Sequence, residues 1–215
     1  ACINSIARSY RRGSGAWAES LLREMTTEYG IQPDKKTYTN VIQAYMNENI
    51  PNTATKTTSL LHEFLEICSA NPVVDHDKRC YIEPDVYLFA IAISSIARGR
   101  PGTIQPRVHS IMAEMQKWNV APNTFFFNCV LNALAKDGDA VAAENTLKSM
   151  EVRYERDGNA DLKPTHVSYA TFIDAMARSQ ECARDEATIA KAEGIFEHCL
   201  SRYFDDGDVD FKLRT

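Results

Sequence analysis

The sequence lacks several features that would assign it to a common functional class. No run approaches the roughly 18 consecutive apolar residues that a membrane-spanning helix needs, so no membrane partner is expected. Six cysteines form no Cys-x-x-Cys pair and no Asn-x-Ser/Thr acceptor occurs, which favours a reduced compartment over secretion. Lys and Arg total 24 against 29 Asp and Glu, and the net charge of −5 excludes a global attraction to nucleic acid. Any such contact would need a local group of cations.

The motifs of catalysis and of cofactor binding are also missing. No Gly-rich phosphate loop occurs, since residues 98–102 are typical of a turn between helices. Neither a nuclease-like carboxylate cluster nor the His-x-Glu and Cys-x-x-Cys pattern of a deaminase is present. His62, Cys68, His76 and Cys80 match no short zinc knuckle in their spacing. We therefore expect no enzyme, no cofactor, no metal site and no small-molecule substrate.

An internal repeat is visible first in the prolines. Four of the eight share one pattern: an aliphatic residue, any residue, Pro and then a helix-capping residue. These joints lie at residues 31–34, 82–85, 120–123 and 162–165. Asp, Asn and Thr accept hydrogen bonds from the unpaired N–H groups of a helix's first turn, and Pro stops the preceding element. Each joint therefore predicts the start of a new helical hairpin.

The same apolar stripe follows every joint. We number the places of each copy from the residue after the cap, and places four, seven, eight and eleven are apolar. They are Tyr38, Val41, Ile42, Tyr45; Phe89, Ala92, Ile93, Ile96; Phe127, Val130, Leu131, Leu134; and Tyr169, Phe172, Ile173, Met176. This spacing predicts one buried helix face. The tenth place is always small (Ser5, Ala44, Ser95, Ala133, Ala175), which would let a second helix approach closely.

A second helix repeats as well. Its apolar sets are Ala18, Leu21, Leu22, Met25; Thr57, Leu60, Leu61, Phe64; Val108, Ile111, Met112, Met115; Ala143, Thr146, Leu147, Met150; and Ala192, Ile195, Phe196, Cys199. We therefore predict an all-α fold, a right-handed α-solenoid of about five two-helix hairpins stacked into one core. The predicted copies are 1–34 (partial), 35–85, 86–123, 124–165 and 166–203, followed by an acidic tail at 204–215.

The period of the repeat is irregular. The excess residues lie near 71–80 and 156–160, between a second helix and the next joint, which predicts loops on one edge of the array. The first residue is not Met, and the first copy begins partway through its first helix. We expect any targeting peptide to lie outside this sequence.

These copies resemble the pentatricopeptide repeat family over about residues 1–203. The resemblance rests on the joint followed by an aromatic fourth place, as in 36–42 and 125–131, and on the Glu-Met pairs at 24–25 and 114–115. The eighth place is Ile or Leu throughout, whereas tetratricopeptide repeats usually carry Gly or Ala there. The resemblance implies a helical solenoid that binds single-stranded RNA.

A line of cations is predicted at the thirteenth place. This place shares a helix face with the second, fifth and ninth places, away from the buried stripe. Its residues are Arg8, Asn47, Arg98, Lys136 and Arg178. Cations in a groove would neutralise the phosphates of a single strand. Alternatively, Lys and Arg near the end of a first helix complement the helix dipole and stay in water.

Two further sets of residues follow from the resemblance. At the second place, Lys36, Tyr87, Phe125 and Val167 would wedge beside bases, and Tyr or Phe could stack on them; the alternative is packing between repeats. The fifth place and the next cap would form base-reading pairs, namely Thr39 with Asp85, Ala90 with Asn123, and Asn128 with Thr165. The first resembles a purine reader favouring G, the second would discriminate poorly, and the third leans to pyrimidines. The alternative is that the three caps serve only as N-caps.

Two functions remain in view. The first is single-stranded RNA binding in organellar RNA metabolism, in a mitochondrion or a plastid, as the resemblance implies. The second is a protein-interaction scaffold within a larger organellar assembly, which the acidic charge and the alanines at two fifth places favour.

Overall fold

Helices make up nearly all of the secondary structure. The computed structural model describes residues 2–8, 11–48, 52–70, 83–179 and 186–205. Of these residues 79% are helical, and they contain ten α-helices and no strand. The helices are α1 (Cys2–Ala7), α2 (Ser14–Thr27), α3 (Lys35–Glu48), α4 (Thr53–Ala70), α5 (Val86–Ile96), α6 (Ile104–Lys117), α7 (Thr124–Asp137), α8 (Ala140–Asp157), α9 (His166–Arg178) and α10 (Glu186–Asp205). The predicted all-α class is confirmed.

The proline joints end in helix caps, as predicted. Asp34, Asp85 and Asn123 each accept a hydrogen bond through Oδ1 from a backbone N–H three residues on, at 2.8–2.9 Å. These bonds satisfy donors that the first turn of a helix leaves unpaired. The first helices α3, α5, α7 and α9 therefore begin one residue after Asp34, Asp85, Asn123 and Thr165.

The chain divides into two compact units. Unit 1 comprises Ala1–Gly99 with Arg107–Ala121, and unit 2 comprises Arg100–Pro106 with Pro122–Thr215. A single array of five copies remains a prediction.

The core of unit 1 is built around α3, which contacts α1, α2, α4 and α5. The predicted stripe of α3 is buried, and the ring of Tyr38 lies 5.2 Å from that of Phe64 on α4. Burying each such ring contributes about 1.5–3 kcal/mol. Gly15 on α2 has a particular role here, because a Cβ at this position would collide with the ring of Tyr45. The missing side chain lets Tyr45 pack directly on the backbone of α2.

The core of unit 2 is built around α7 and α9, which pack against each other and against α8. The stripe of α7 is fully buried, and the rings of Phe126 and Phe127 meet edge to face at 6.0 Å. The guanidinium of Arg153 on α8 lies 5.8 Å from the centre of the Phe127 ring. At the end of α7, Gly138 adopts φ 77°, a left-handed conformation that suits a glycine C-cap.

A carboxylate at the fourteenth place clamps the start of a second helix in both units. In unit 1, Glu48 accepts hydrogen bonds from the backbone N–H groups of Gly13 and Gly15, the latter at 3.0 Å. In unit 2, Asp137 accepts from the N–H groups of Gly102 and Gln105, the latter at 3.0 Å. Each carboxylate thus caps the second helix of the preceding copy, where the helix dipole also favours negative charge.

The small tenth place performs the predicted role in close packing. The hydroxyl of Ser95 on α5 is buried and lies 2.6 Å from the hydroxyl of Thr57 on α4. Alanines at the same place on α3, α7 and α9 are fully buried. A larger side chain at these positions would separate the helices.

The predicted position of the excess residues needs a correction. Both α4 and α8 contain 18 residues, whereas α2 and α6 contain 14. Four residues add about one helical turn, and in α8 this extension includes residues 156 and 157, which were predicted to lie in a loop. A short 3-10 helix at Ala160–Leu162 takes up more of the excess. Residues 71–80 lie outside the described residues. The tail was predicted at 204–215, but its first two residues belong to α10 and the rest lies outside the described residues.

Across the described helices, none combines the length and the apolar character that crossing a bilayer would require.

Candidate functional site

The second-place side chains share one property in both units: they are exposed. Tyr87 is 51% exposed, Phe125 49% and Val167 44%, and Lys36 is exposed too. On the same helices the fourth-place aromatics are almost fully buried. Large apolar side chains therefore stand out from the surface at the same place in three successive copies.

Lys136 and Arg178 lie within α7 and α9, whereas Arg8 and Arg98 lie in turns just beyond the ends of α1 and α5. Eleven positions lead from the second place to the thirteenth, which within a helix is about three turns and roughly 16 Å along the axis. The same interval separates Phe125 from Lys136 and Val167 from Arg178. The four predicted cations, Arg8, Arg98, Lys136 and Arg178, are all exposed. Helices α7 and α9 thus each present an apolar group and a positive charge on one helix face, and Arg98 follows the end of α5.

The cations differ in what they contact. Nε of Arg178 donates to Oδ2 of Asp174 at 2.8 Å, one turn earlier on α9, so its charge is partly compensated. Within the described part of the chain, Arg8 and Arg98 form no ion pair. Asn47, the exception in the predicted line, donates to the backbone oxygen of Ala7. The thirteenth place therefore has a structural role at Asn47 and carries a cation without an ion pair at Arg8 and Arg98, within the described residues.

Lys35 links the members of the first predicted reading pair. Its Nζ lies 2.6 Å from Oδ2 of Asp85, and its backbone oxygen accepts a hydrogen bond from Oγ1 of Thr39 at 2.8 Å. Oδ1 of Asp85 accepts from the N–H of Leu88. Both carboxylate oxygens of Asp85 are therefore engaged within unit 1, one as an N-cap and one in an ion pair.

Ser168 links the members of the third predicted pair. Its Oγ donates to Oδ1 of Asn128 at 2.7 Å and accepts from the backbone N–H of Thr165 at 3.1 Å. The hydroxyl thus joins the fifth place of one copy to the cap of the next. Asn128 itself is half-buried.

The second predicted pair is divided between the units. Ala90 belongs to unit 1 and is 0% exposed, whereas Asn123 belongs to unit 2 and caps α7. The side chain of Ala90 presents no surface to a ligand. Ala170, at the same place on α9, is exposed.

Part of the chain matches the model of a known protein family. Residues 110–179 match the family model described as the pentatricopeptide repeat domain. The suspected resemblance is confirmed there. No curated protein sequence matches the chain.

The match to the pentatricopeptide repeat domain covers every predicted site residue of unit 2. It contains the caps Asn123 and Thr165, the fifth-place Asn128, the second-place Phe125 and Val167, and the cations Lys136 and Arg178. Helix α7 and its neighbours α8 and α9 lie within it in full.

A cavity accompanies the exposed face in unit 1. It has a volume of about 470 Å³ and lies among α1, α2 and the start of α3. Its wall includes the second-place Lys36 and the cap Asp34, together with Asn4, Asn40 and Tyr29. Polar hydrogen-bonding groups and an aromatic ring are thus combined in the wall of one cavity. Within the described residues, no three His, Cys, Asp or Glu side chains converge as a metal site would require.

Lys35 and Ser168 contact the predicted reading places but have no direct signal in the sequence. Lys35 lies 50 positions before Asp85, the cap that it contacts, and a repeat pattern predicts a cap without predicting its partner. Ser168 stands at the third place, where a hydroxyl is typical of the first turn of a helix. The contact between Ser168 and Asn128 joins the third place of one copy to the fifth place of the preceding copy, and only the two places together indicate it.

Proposed function

We propose that the chain binds single-stranded RNA on the exposed faces of its first helices. The observation that carries the proposal is the exposure of Tyr87, Phe125 and Val167 at one equivalent place. Folding normally buries large apolar side chains, and repeated exposure at one place marks a contact surface. The match to the pentatricopeptide repeat domain supports RNA as the ligand.

Base stacking is the role of the second place. Tyr87 and Phe125 are half-exposed, so part of each ring is open to solvent. Aromatic side chains in single-strand binders contribute about 1–3 kcal/mol for each stacked base, with little dependence on its identity. Lys36 and Val167 have no ring to stack, and in this proposal the aliphatic part of each side chain makes van der Waals contact with a base.

Phosphate neutralisation is the role of the thirteenth place. Arg98 is exposed and has no ion pair within the described residues, so it can meet a phosphate without breaking an existing contact. Arg8 and Lys136 are exposed as well, whereas Arg178 would have to share its charge with Asp174. These cations provide the local attraction that the net charge of −5 does not.

A mitochondrion or plastid is the proposed location, and RNA processing the proposed context. The family resemblance alone supports both.

A protein-interaction scaffold is the second candidate, and the internal contacts of the reading places favour it. Asp85 is engaged by Lys35 and by its own helix, and Ala90 is buried. These two places would read no base, but the exposed second-place side chains could still bind a peptide.

Salt-dependent RNA titration tests the first function. A fluorescein-labelled pool of randomised single-stranded RNA is titrated with the protein at 50 and 200 mM salt. Neutralising three phosphates of a single strand predicts a loss of affinity of about 20-fold between these conditions. The double variant Arg98→Glu, Lys136→Glu should bind at least tenfold more weakly at 50 mM salt and show a shallower salt dependence.

A matched control is the double variant Lys117→Glu, Lys148→Glu. It changes the net charge equally, but on second helices, where these side chains are 68% and 65% exposed. Apart from long-range charge effects, its dissociation constant for RNA should lie within about twofold of that of the unaltered protein. Failure of the unaltered protein to bind the pool at 50 mM salt would exclude this function and favour the scaffold.

A further inference from the structure

The hydroxyl of Ser168 makes two hydrogen bonds within unit 2. Ser168 is 0% exposed, and its Oγ lies 3.1 Å from the backbone nitrogen of Thr165 and 2.7 Å from Oδ1 of Asn128. Thr165 is the cap of α9, and Asn128 occupies the fifth place of α7. A buried side chain of the next copy therefore contacts the predicted reader of the preceding one.

The chemistry of the hydroxyl fixes the direction of both bonds. A backbone N–H can only donate, so Thr165 uses a lone pair of Oγ. The single hydroxyl proton of Ser168 then points to Asn128, where it needs an acceptor, and the amide oxygen supplies one. The oxygen of Asn128 consequently faces Ser168, and its NH₂ group faces away.

We propose that Ser168 is a positioning residue that makes Asn128 prefer uracil to cytosine. This rests on the proposed RNA binding. An amide held with its NH₂ outward donates a hydrogen bond and cannot accept one. Uracil carries the acceptor O4 where cytosine carries the donor N4 amino group. The held amide thus matches uracil, whereas a freely rotating amide would match both bases.

The third place explains why this preference belongs to one copy. In the other two pairs, the third place of the next copy is Leu88 for Thr39 and Phe126 for Ala90. Both are buried hydrocarbon side chains without a hydroxyl. Thr39 instead donates to the backbone oxygen of Lys35 within its own helix. Among the three predicted pairs, only that of Asn128 has its reader oriented by the next copy.

The ratio of two dissociation constants tests the proposal. Fluorescein-labelled 12-mers of uridylate and of cytidylate are titrated by fluorescence anisotropy. One oriented hydrogen bond predicts that the unaltered protein binds the uridylate strand about fivefold more tightly. Ser168→Ala removes the donor to Asn128, so the ratio should fall to nearly one while binding to the cytidylate strand changes by less than about twofold.

Asn128→Asp provides a second variant that keeps Ser168. One carboxylate oxygen would still accept from Ser168, and the other would face the base as an acceptor. The ratio should then reverse in favour of cytidylate, which offers an amino donor. Thr171→Ala is the control, because Oγ1 of Thr171 donates to the backbone oxygen of Val167 within α9, at 2.7 Å. Its ratio should match that of the unaltered protein.

The outcomes separate the two proposals. If the unaltered protein binds neither 12-mer, RNA binding itself is excluded and the role of Ser168 with it. If it binds both and Ser168→Ala keeps the full uridylate preference, RNA binding stands and the role of Ser168 is overturned. A circular-dichroism melt of each variant shows whether it is folded. If Ser168→Ala is unfolded, the reversal in Asn128→Asp decides, and its absence overturns the proposal.

Discussion

Asn47 holds the end of the first helix through a side-chain bond to Ala7. Its Nδ2 donates to the backbone oxygen of Ala7 at 2.7 Å, and its Oδ1 accepts from Nε2 of Gln43 at 3.0 Å. Ala7 is the last residue of α1, where backbone oxygens lack partners within the helix. The one neutral residue at the thirteenth place therefore joins two copies of unit 1.

Asn47→Ala should destabilise the protein by about 1–2 kcal/mol, because it leaves the oxygen of Ala7 without this donor. The free energy of unfolding is measured by urea titration. Asn145→Ala serves as the control, since Asn145 is exposed on α8 and its replacement should change stability by less than about 0.5 kcal/mol. Equal effects of the two variants would contradict the role assigned to Asn47.

Removing the half-exposed aromatic rings should weaken RNA binding more than it weakens the fold. Tyr87→Ala and Phe125→Ala each remove one stacking platform, so affinity for a single-stranded RNA pool should fall about 5- to 100-fold. Trp17→Ala is the matched control, because Trp17 is an aromatic side chain 59% exposed on a second helix. It should leave affinity within about twofold. A similar loss in all three variants would point to a general effect of exposed aromatics.

The residues of the core could be predicted from the sequence, because helical periodicity is local. The spacing of places four, seven, eight and eleven identified Tyr38, Phe89, Phe127 and Tyr169, and all four are at most 3% exposed. The caps were predictable for the same reason, since each bonds to a residue three positions on.

Contacts between copies could not be predicted in this way. The bond from Ser168 to Asn128 spans 40 positions, and that from Asn47 to Ala7 also spans 40. Each depends on how two helices pack, and a repeat pattern gives the place of a residue without its partner. The thirteenth place shows the result. The pattern predicted one line of cations, whereas in the structure Asn47 bonds to the preceding copy, Arg178 pairs with Asp174 on its own helix, and Arg98 is unpaired within the described residues.

The carboxylate clamp at Asp137 should be a measurable source of stability. Asp137→Asn keeps one acceptor oxygen but turns an NH₂ group toward one of the two backbone N–H groups that Asp137 now accepts from. The expected cost is about 1–2 kcal/mol in the free energy of unfolding. Asp161→Asn makes the same chemical change at an exposed side chain in unit 2 and should cost less than about 0.5 kcal/mol. Equal free energies of unfolding for Asp137→Asn and Asp161→Asn would show that the clamp does not stabilise the fold.

A carboxylate network in unit 1 should make stability depend on pH. Glu63 on α4 accepts hydrogen bonds from Arg23 on α2 and from the hydroxyl of Tyr38 on α3. The distance from Nη2 of Arg23 to Oε2 of Glu63 is 2.7 Å, and that from the Tyr38 hydroxyl to Oε1 is also 2.7 Å. The hydrogen bond from Arg23 lowers the pKa of Glu63 below its ordinary value of 4.5, although partial burial opposes the shift. The ionised carboxylate is therefore favoured in the folded state.

The sign of the pH effect follows from that direction. A carboxyl group whose pKa is lower in the folded state stabilises the fold fully above about pH 4.5, and this contribution is lost as the pH falls through the folded pKa. Glu63→Gln should reduce the free energy of unfolding at pH 7 by about 1–2 kcal/mol and lose less stability than the unaltered protein below pH 4.5. Urea titrations at pH 7, 5, 4 and 3 measure both effects.

Glu66→Gln, at an exposed position on the same helix, should follow the unaltered protein at every pH. A parallel loss of stability in Glu63→Gln and the unaltered protein would show that the network does not determine the pH dependence.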